Sequence, residues 1–124
     1  MLPKELRLKA IDTLLNARME HTRWVSQVIN HENPSVAVEH TDCKFGQWLL
    51  ASEATLGHIP EFQALILPHK DLHENYKLLR NEPSRDPLRH EMRRLSQILI
   101  SHIDDLQGFL NLPETIRGET SRAL

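Results

Sequence analysis

In separate stretches between Leu6 and Phe109 the apolar residues of this chain recur with a helical period, and some of its histidines fall in line with them. That period belongs to helices that bury one face, and nothing alternates as a half-buried strand would. A histidine inside an apolar stripe is a constraint on the fold. Once the stripe is buried, the ring must find hydrogen-bond partners or a metal ion.

The first stripe runs Leu6, Leu14, Ala17, His21, Trp24/Val25, Val28, and predicts a helix from Pro3, which suits a first helical turn, to about Ile29. Residues 30–41 contain Asn33-Pro34-Ser35, keep no period and read as a loop. Thr41 or Asp42 is the expected cap of a shorter helix that begins near Cys43 and carries Phe45, Trp48 and Leu49 on one side. Gly57 and Pro60 mark a break. A third helix is expected from Pro60 to about Arg80, with Phe62, Leu65/Ile66, His69, Leu72/His73, Tyr76 and Leu79 inward. Pro68 is expected to interrupt and kink it. Glu82-Pro83-Ser84-Arg85-Asp86-Pro87 reads as a turn. The last helix, to about Leu110, turns Leu88, Met92, Leu95, Leu99, His102, Leu106 and Phe109 inward. The expected fold is all-α: an antiparallel four-helix bundle with a short second helix, and sites between facing helices. Residues 1–112 form the bundle in this reading, and 113–124 form a polar, frayed tail.

At 124 residues the chain is long enough for one domain with a true core. Fifteen basic against 17 acidic residues leave no electrostatic footprint for nucleic acid. No apolar run reaches the ~20 residues that span a bilayer, and the N-terminus lacks the apolar core of a signal peptide. A cytoplasmic protein without membrane insertion is expected. With a single cysteine, no internal disulfide is available.

Eight histidines are the compositional outlier. His69 and His73, one helical turn apart, share a face and can chelate one ion. His21 lies on the stripe of the first helix. Cys43 stands at a helix N-terminus, where free N–H groups favour negative charge. One thiolate and three imidazoles make up a tetrahedral zinc set. Each also has an ordinary reading: a satisfied core histidine, a polar pair, a small buried thiol. Gly46, one turn into the second helix, costs about 1 kcal/mol relative to alanine, which suggests that something approaches its backbone closely. Phe45 and Trp48 read as core anchors. His102 reads as a core-edge histidine or a group behind the ligands, and His31, His40, His58 and His90 as solvated.

The order His21-x-x-Trp24, Cys43-x-Phe45-Gly46-x-Trp48 and His69-x-x-Leu72-His73 resembles the chemoreceptor zinc-binding (CZB) domain family, over about residues 5–110. The resemblance implies a four-helix bundle that holds Zn2+ through three histidines and one cysteine, here His21, Cys43, His69 and His73. It also implies a role in bacterial signal transduction, attached to a chemoreceptor or a diguanylate cyclase whose output follows zinc occupancy. Members can form homodimers, and the zinc-bound cysteine is linked to sensing of oxidants such as hypochlorous acid. The chain carries no cyclase signature and no long coiled coil, so a free-standing member or an excised domain is expected. Pro68, immediately before His69, departs from the expected regular helix there.

Four protein ligands leave no open position for a catalytic water, so the expected role is regulatory and not enzymatic. Three alternatives compete. A metal-free helical interaction module would use the histidines as core filler. A hemerythrin-like di-iron bundle would need bridging carboxylates and repeated inward Glu-x-x-His patterns, which the helices lack. A nucleophilic cysteine enzyme would need an oxyanion site that the sequence does not offer.

Overall fold

A computed structural model describes residues 2–32, 34, 37–82 and 85–117. The long helices are α1 (Lys4–Ile29), α2 (Lys44–Leu56), α3 (Pro60–Asn81) and α4 (Asp86–Leu110), followed by one helical turn, α5 (Glu114–Arg117). No strand occurs among the described residues. The all-α bundle with a short second helix is therefore the observed architecture.

Each helix end has a local cause. At the start of α1 the Pro3 carbonyl accepts the Arg7 N–H at 3.0 Å. Its C-terminus closes by a pair of reversed bonds: Glu32 N–H to the Gln27 carbonyl (2.8 Å) and His31 N–H to the Val28 carbonyl (3.1 Å). His31, between them, takes a left-handed φ of 61°. This is the Schellman geometry, with histidine where glycine is usual. The cap of α2 is Cys43 itself, at φ −74° and ψ 142°, with no side-chain capping bond. Thr41 and Asp42, the expected caps, lie two residues and one residue too early, respectively: the first helical carbonyl is that of Cys43, which accepts Gln47 N–H at 2.9 Å. Pro60 and Pro87 both stand in first turns, where a missing N–H costs nothing. The turn before α4 is therefore shorter than expected, ending at Arg85.

Pro68 does not interrupt α3, which runs unbroken from Pro60 to Asn81. The ring removes one N–H from the ladder, and packing on both sides holds the helix through the gap. The short link between α3 and α4 makes them antiparallel neighbours. On its other side α4 packs against α1, also antiparallel: Arg7 reaches the Leu110 carbonyl (3.3 Å) and Arg18 pairs with Asp104 (3.0 Å). The core between these helices is aliphatic, as the low aromatic content requires. Leu14, Phe62, Leu65, Leu72, Met92, Leu99, Ile103, Leu106 and Leu110 have no exposed surface, each contributing roughly 1.5–3 kcal/mol by burial.

The stripes differ from expectation at their edges. Ile103 takes the buried place on α4, and its neighbour His102 is half-buried, 3.8 Å from Asp105. Leu110 is fully buried and Phe109 only partly. Ile66 is exposed on α3, and Trp48 is half-buried. Residues 114–117, expected within a frayed tail, form α5, whose Arg117 is buried and donates to the Leu110 carbonyl (3.2 Å) and to the Leu112 carbonyl. The rest of that tail, 118–124, lies outside the described residues. No helix among them is long and apolar enough to cross a membrane.

Candidate metal centre

Three elements converge at His21, in the C-terminal half of α1. His21 occupies the buried stripe of α1 and is 3% exposed; His69 and His73, on consecutive turns of α3, are each 1% exposed. Cys43 enters from the cap of α2, half-buried, its extended backbone turning the side chain inward. One donor atom from each of the four lies within 4.8 Å of all the others. The Cys43 Sγ is 3.6 Å from His69 Nε2 and 3.9 Å from His21 Nε2. A tetrahedral ion with Zn–S of about 2.3 Å and Zn–N of about 2.0–2.1 Å separates sulfur from nitrogen by about 3.6 Å. The two sulfur–nitrogen distances are therefore close to the spacing that one zinc ion imposes.

Two of the rings are aimed by the backbone. His21 Nδ1–H donates to the Ala17 carbonyl at 2.8 Å, one turn earlier on α1. His73 Nδ1–H donates to the Val38 carbonyl at 3.0 Å, in the loop that leads to Cys43. Each bond fixes the tautomer and leaves the Nε2 lone pair facing the common point, which is how metal-binding histidines are oriented. The His73 Nε2 is fully buried and has no hydrogen-bond partner. An orphaned polar atom in a core costs about 1–3 kcal/mol, and a metal ion at the convergence point removes that cost.

The walls are aromatic. Phe45 lies edge-on to His69 (5.1 Å between ring centroids) and to His21 (5.6 Å), and Trp24 lies 4.7 Å from His73. Burial in this surround, with His73 and His21 close by, lowers the pKa of His69 to about 2. Burial likewise lowers His73 to about 4, against the Val38 hydrogen bond, which favours the charged ring. His21 is lowered by burial, opposed by its bond to Ala17. All three rings are neutral at pH 7, the form that donates a lone pair. Neutral imidazoles beside a soft sulfur suit zinc among the divalent ions.

Gly46 explains the close approach expected at its position. A Cβ there would collide with the His40 carbonyl oxygen and stand 3.2 Å from His69 Cε1. The loop before α2 can lie flat on the helix only because residue 46 has no side chain.

The structure brings together the four residues singled out from the sequence. His31, His58 and His90 are exposed, as expected. His102 lies outside the group. His40 is corrected: it is half-buried, its Nδ1 is buried without a partner, and its ring is 6.3 Å from that of His69. A loop residue carries no periodicity, so only its distance of three residues from Cys43 could have suggested this. The Ala17 and Val38 carbonyls, which aim the rings, leave no trace in residue type.

The family model described as the chemoreceptor zinc-binding domain matches residues 21–79. That segment runs from His21 to the end of the inward face of α3 and contains all four converging residues, but is shorter than the 5–110 expected from the motifs. No curated protein and no solved structure matches the chain.

Proposed function

We propose, from the match of residues 21–79 to the chemoreceptor zinc-binding domain family, that this chain is a zinc-responsive signalling bundle in which His21, Cys43, His69 and His73 hold one Zn2+. The single observation that carries the ligand assignment is the buried, unpartnered His73 Nε2 at the point where the other three donors meet. Bound zinc supplies a cross-link between elements that otherwise touch lightly. The chain's own residues do the rest. Ala17 and Val38 hold two rings in the ligating tautomer, Phe45 and Trp24 exclude water, and Gly46 lets the Cys43 loop seat against α2.

Four protein donors leave no position for a reacting water, which supports a regulatory role over a hydrolytic one. Among the described residues no carboxylate joins the four, and this argues against a di-iron centre. Loss of the ion would leave neutral imidazoles facing one another and release the Cys43 loop from α1 and α3. The signal in this reading is the resulting shift in packing, limited to the difference in zinc affinity between the two packings. A peroxide or hypochlorous acid would convert the Cys43 sulfur to sulfenic acid; the sulfur loses two electrons, the oxidant is reduced, and one ligand is withdrawn. The partner in this reading is the output region of a chemoreceptor or diguanylate cyclase, in the cytoplasm, with the bundle as a homodimer.

The test is the metal content of the purified chain beside that of Cys43→Ser. One tightly held zinc per chain is expected, lost or strongly weakened in the variant. Unchanged zinc affinity in Cys43→Ser would remove Cys43 from the ligand set.

A further inference from the structure

A second group of donors lies on the outer side of the Cys43 loop. Glu39 and His40, from the loop, and Glu74, from α3, each offer one donor atom, all within 4.8 Å of one another. All three are partly buried. Among the described residues Glu39 and Glu74 share one ion-pair partner. The Lys77 ammonium is 2.7 Å from Glu39 and 3.6 Å from Glu74, bridging the two carboxylates. Two carboxylates against one ammonium leave a net negative charge at the cluster. His40 adds a ring whose Nδ1 is fully buried and makes no hydrogen bond. The His40 ring centroid lies 6.3 Å from that of His69. An imidazole that offers one ring nitrogen within 4.8 Å of two carboxylates is a donor set for a divalent metal, with further positions left to water.

We propose that Glu39, His40 and Glu74 form a second, outer binding site for a divalent zinc-type cation, and that the Lys77 ammonium competes with the cation for it. Each member adjoins a part of the inner group. Glu74 follows His73 directly, and Glu39 and His40 follow Val38, whose carbonyl holds the His73 ring. An outer cation therefore draws together the same two pieces of chain, the Cys43 loop and α3, that the inner group joins. Its occupancy and that of the inner site reinforce one another through the loop. The exposed face of the cluster makes the outer site the weaker of the two, because water and Lys77 both compete there.

The experiment is a Zn2+ titration of the full chain against a chromophoric chelator, with native mass spectrometry to count ions. Two equivalents are expected in the wild type, the second weaker. Glu74→Gln and His40→Ala should each weaken the second equivalent by about tenfold or more and leave the first in place; Lys77→Met should strengthen the second by a similar factor. A single equivalent in both wild type and Lys77→Met would overturn the outer site. So would a second equivalent that ignores both Glu74→Gln and His40→Ala, since that ion would sit on exposed histidines elsewhere. Cys43→Ser separates the two assignments. Loss of the tight equivalent there tests the inner ligands, and the response to Glu74→Gln and Lys77→Met tests only the outer ones.

Discussion

His73 donates one hydrogen bond and keeps one idle lone pair, and different parts of the chain decide the two. The Val38 carbonyl takes the Nδ1 proton; burial leaves Nε2 without a partner. The acid behaviour of the metal-free chain follows from such residues. His69 and His73 are held to about 2 and about 4 in the fold and return to the ordinary 6.5 on unfolding. Between those values the unfolded chain binds more protons. The stability these rings contribute is complete above about pH 6.5 and is lost as the pH falls towards 4, by about 1.4 kcal/mol per pH unit for each ring. Urea unfolding in the presence of a chelator should show a lower midpoint at pH 5 than at pH 7.5, and equal midpoints would contradict the neutral, buried rings. Gly46 is a second test at this scale. Alanine is the better helix former by about 1 kcal/mol, yet its Cβ would collide with the His40 carbonyl. Overpacking of this kind costs about 1–3 kcal/mol. Gly46→Ala should lower the unfolding free energy and weaken zinc binding; a more stable variant would show that the loop does not lie on α2.

Among the elements, α1 ends on a strained residue. His31 occupies the left-handed position of the closing turn, its side chain exposed. A side chain there costs roughly 1–2 kcal/mol, a cost that glycine avoids. His31→Gly should stabilise the fold by about 1 kcal/mol in denaturant melts without changing zinc affinity, because the ring touches nothing in the metal centre. A destabilised variant would mean that the exposed ring has a packing role. The continuity of α3 through Pro68 is the other lesson at this scale. A proline inside a helix predicts a break from local sterics, and the packing of α3 against α4, with Leu65, His69 and Leu72 buried, outweighs it.

For the whole molecule, the proposed zinc site would link metal occupancy to fold stability. The strong packing lies along α1–α4 and α3–α4, whereas α2 rests on α3 lightly, so the proposed cross-link would fall where the bundle is thinnest. A ligand present at a thousand times its Kd stabilises the folded state by about 4 kcal/mol, on the order of 10 °C or more in Tm for a domain of this size. A strong chelator should lower the melting temperature of the wild type by such an amount and leave Cys43→Ser nearly unmoved. Identical melts with and without chelator in the wild type would favour a metal-free module.

The helices, their number and their inward faces were legible in the sequence because period is a local property, and each stripe needed only its own residues to be recognised. His21, His69 and His73 were legible as candidates because they fall on those stripes, whereas Cys43 and the set of four came from the motif order. What lay beyond that reading depends on distance through space. Whether Ile103 or His102 faces inward is decided by the rotation of α4 against two other helices. Cys43 takes the cap position in place of Thr41 and Asp42, and its Sγ lies 3.6–3.9 Å from the histidines of α3 and α1. The pairing of His21 with Ala17, of His73 with Val38 and of Lys77 with Glu39 and Glu74 exists only after the loop folds onto α3. Sequence alone specified which atoms could hold a metal ion; the tertiary structure decided which lone pairs meet, since convergence is a property of packing and not of spacing.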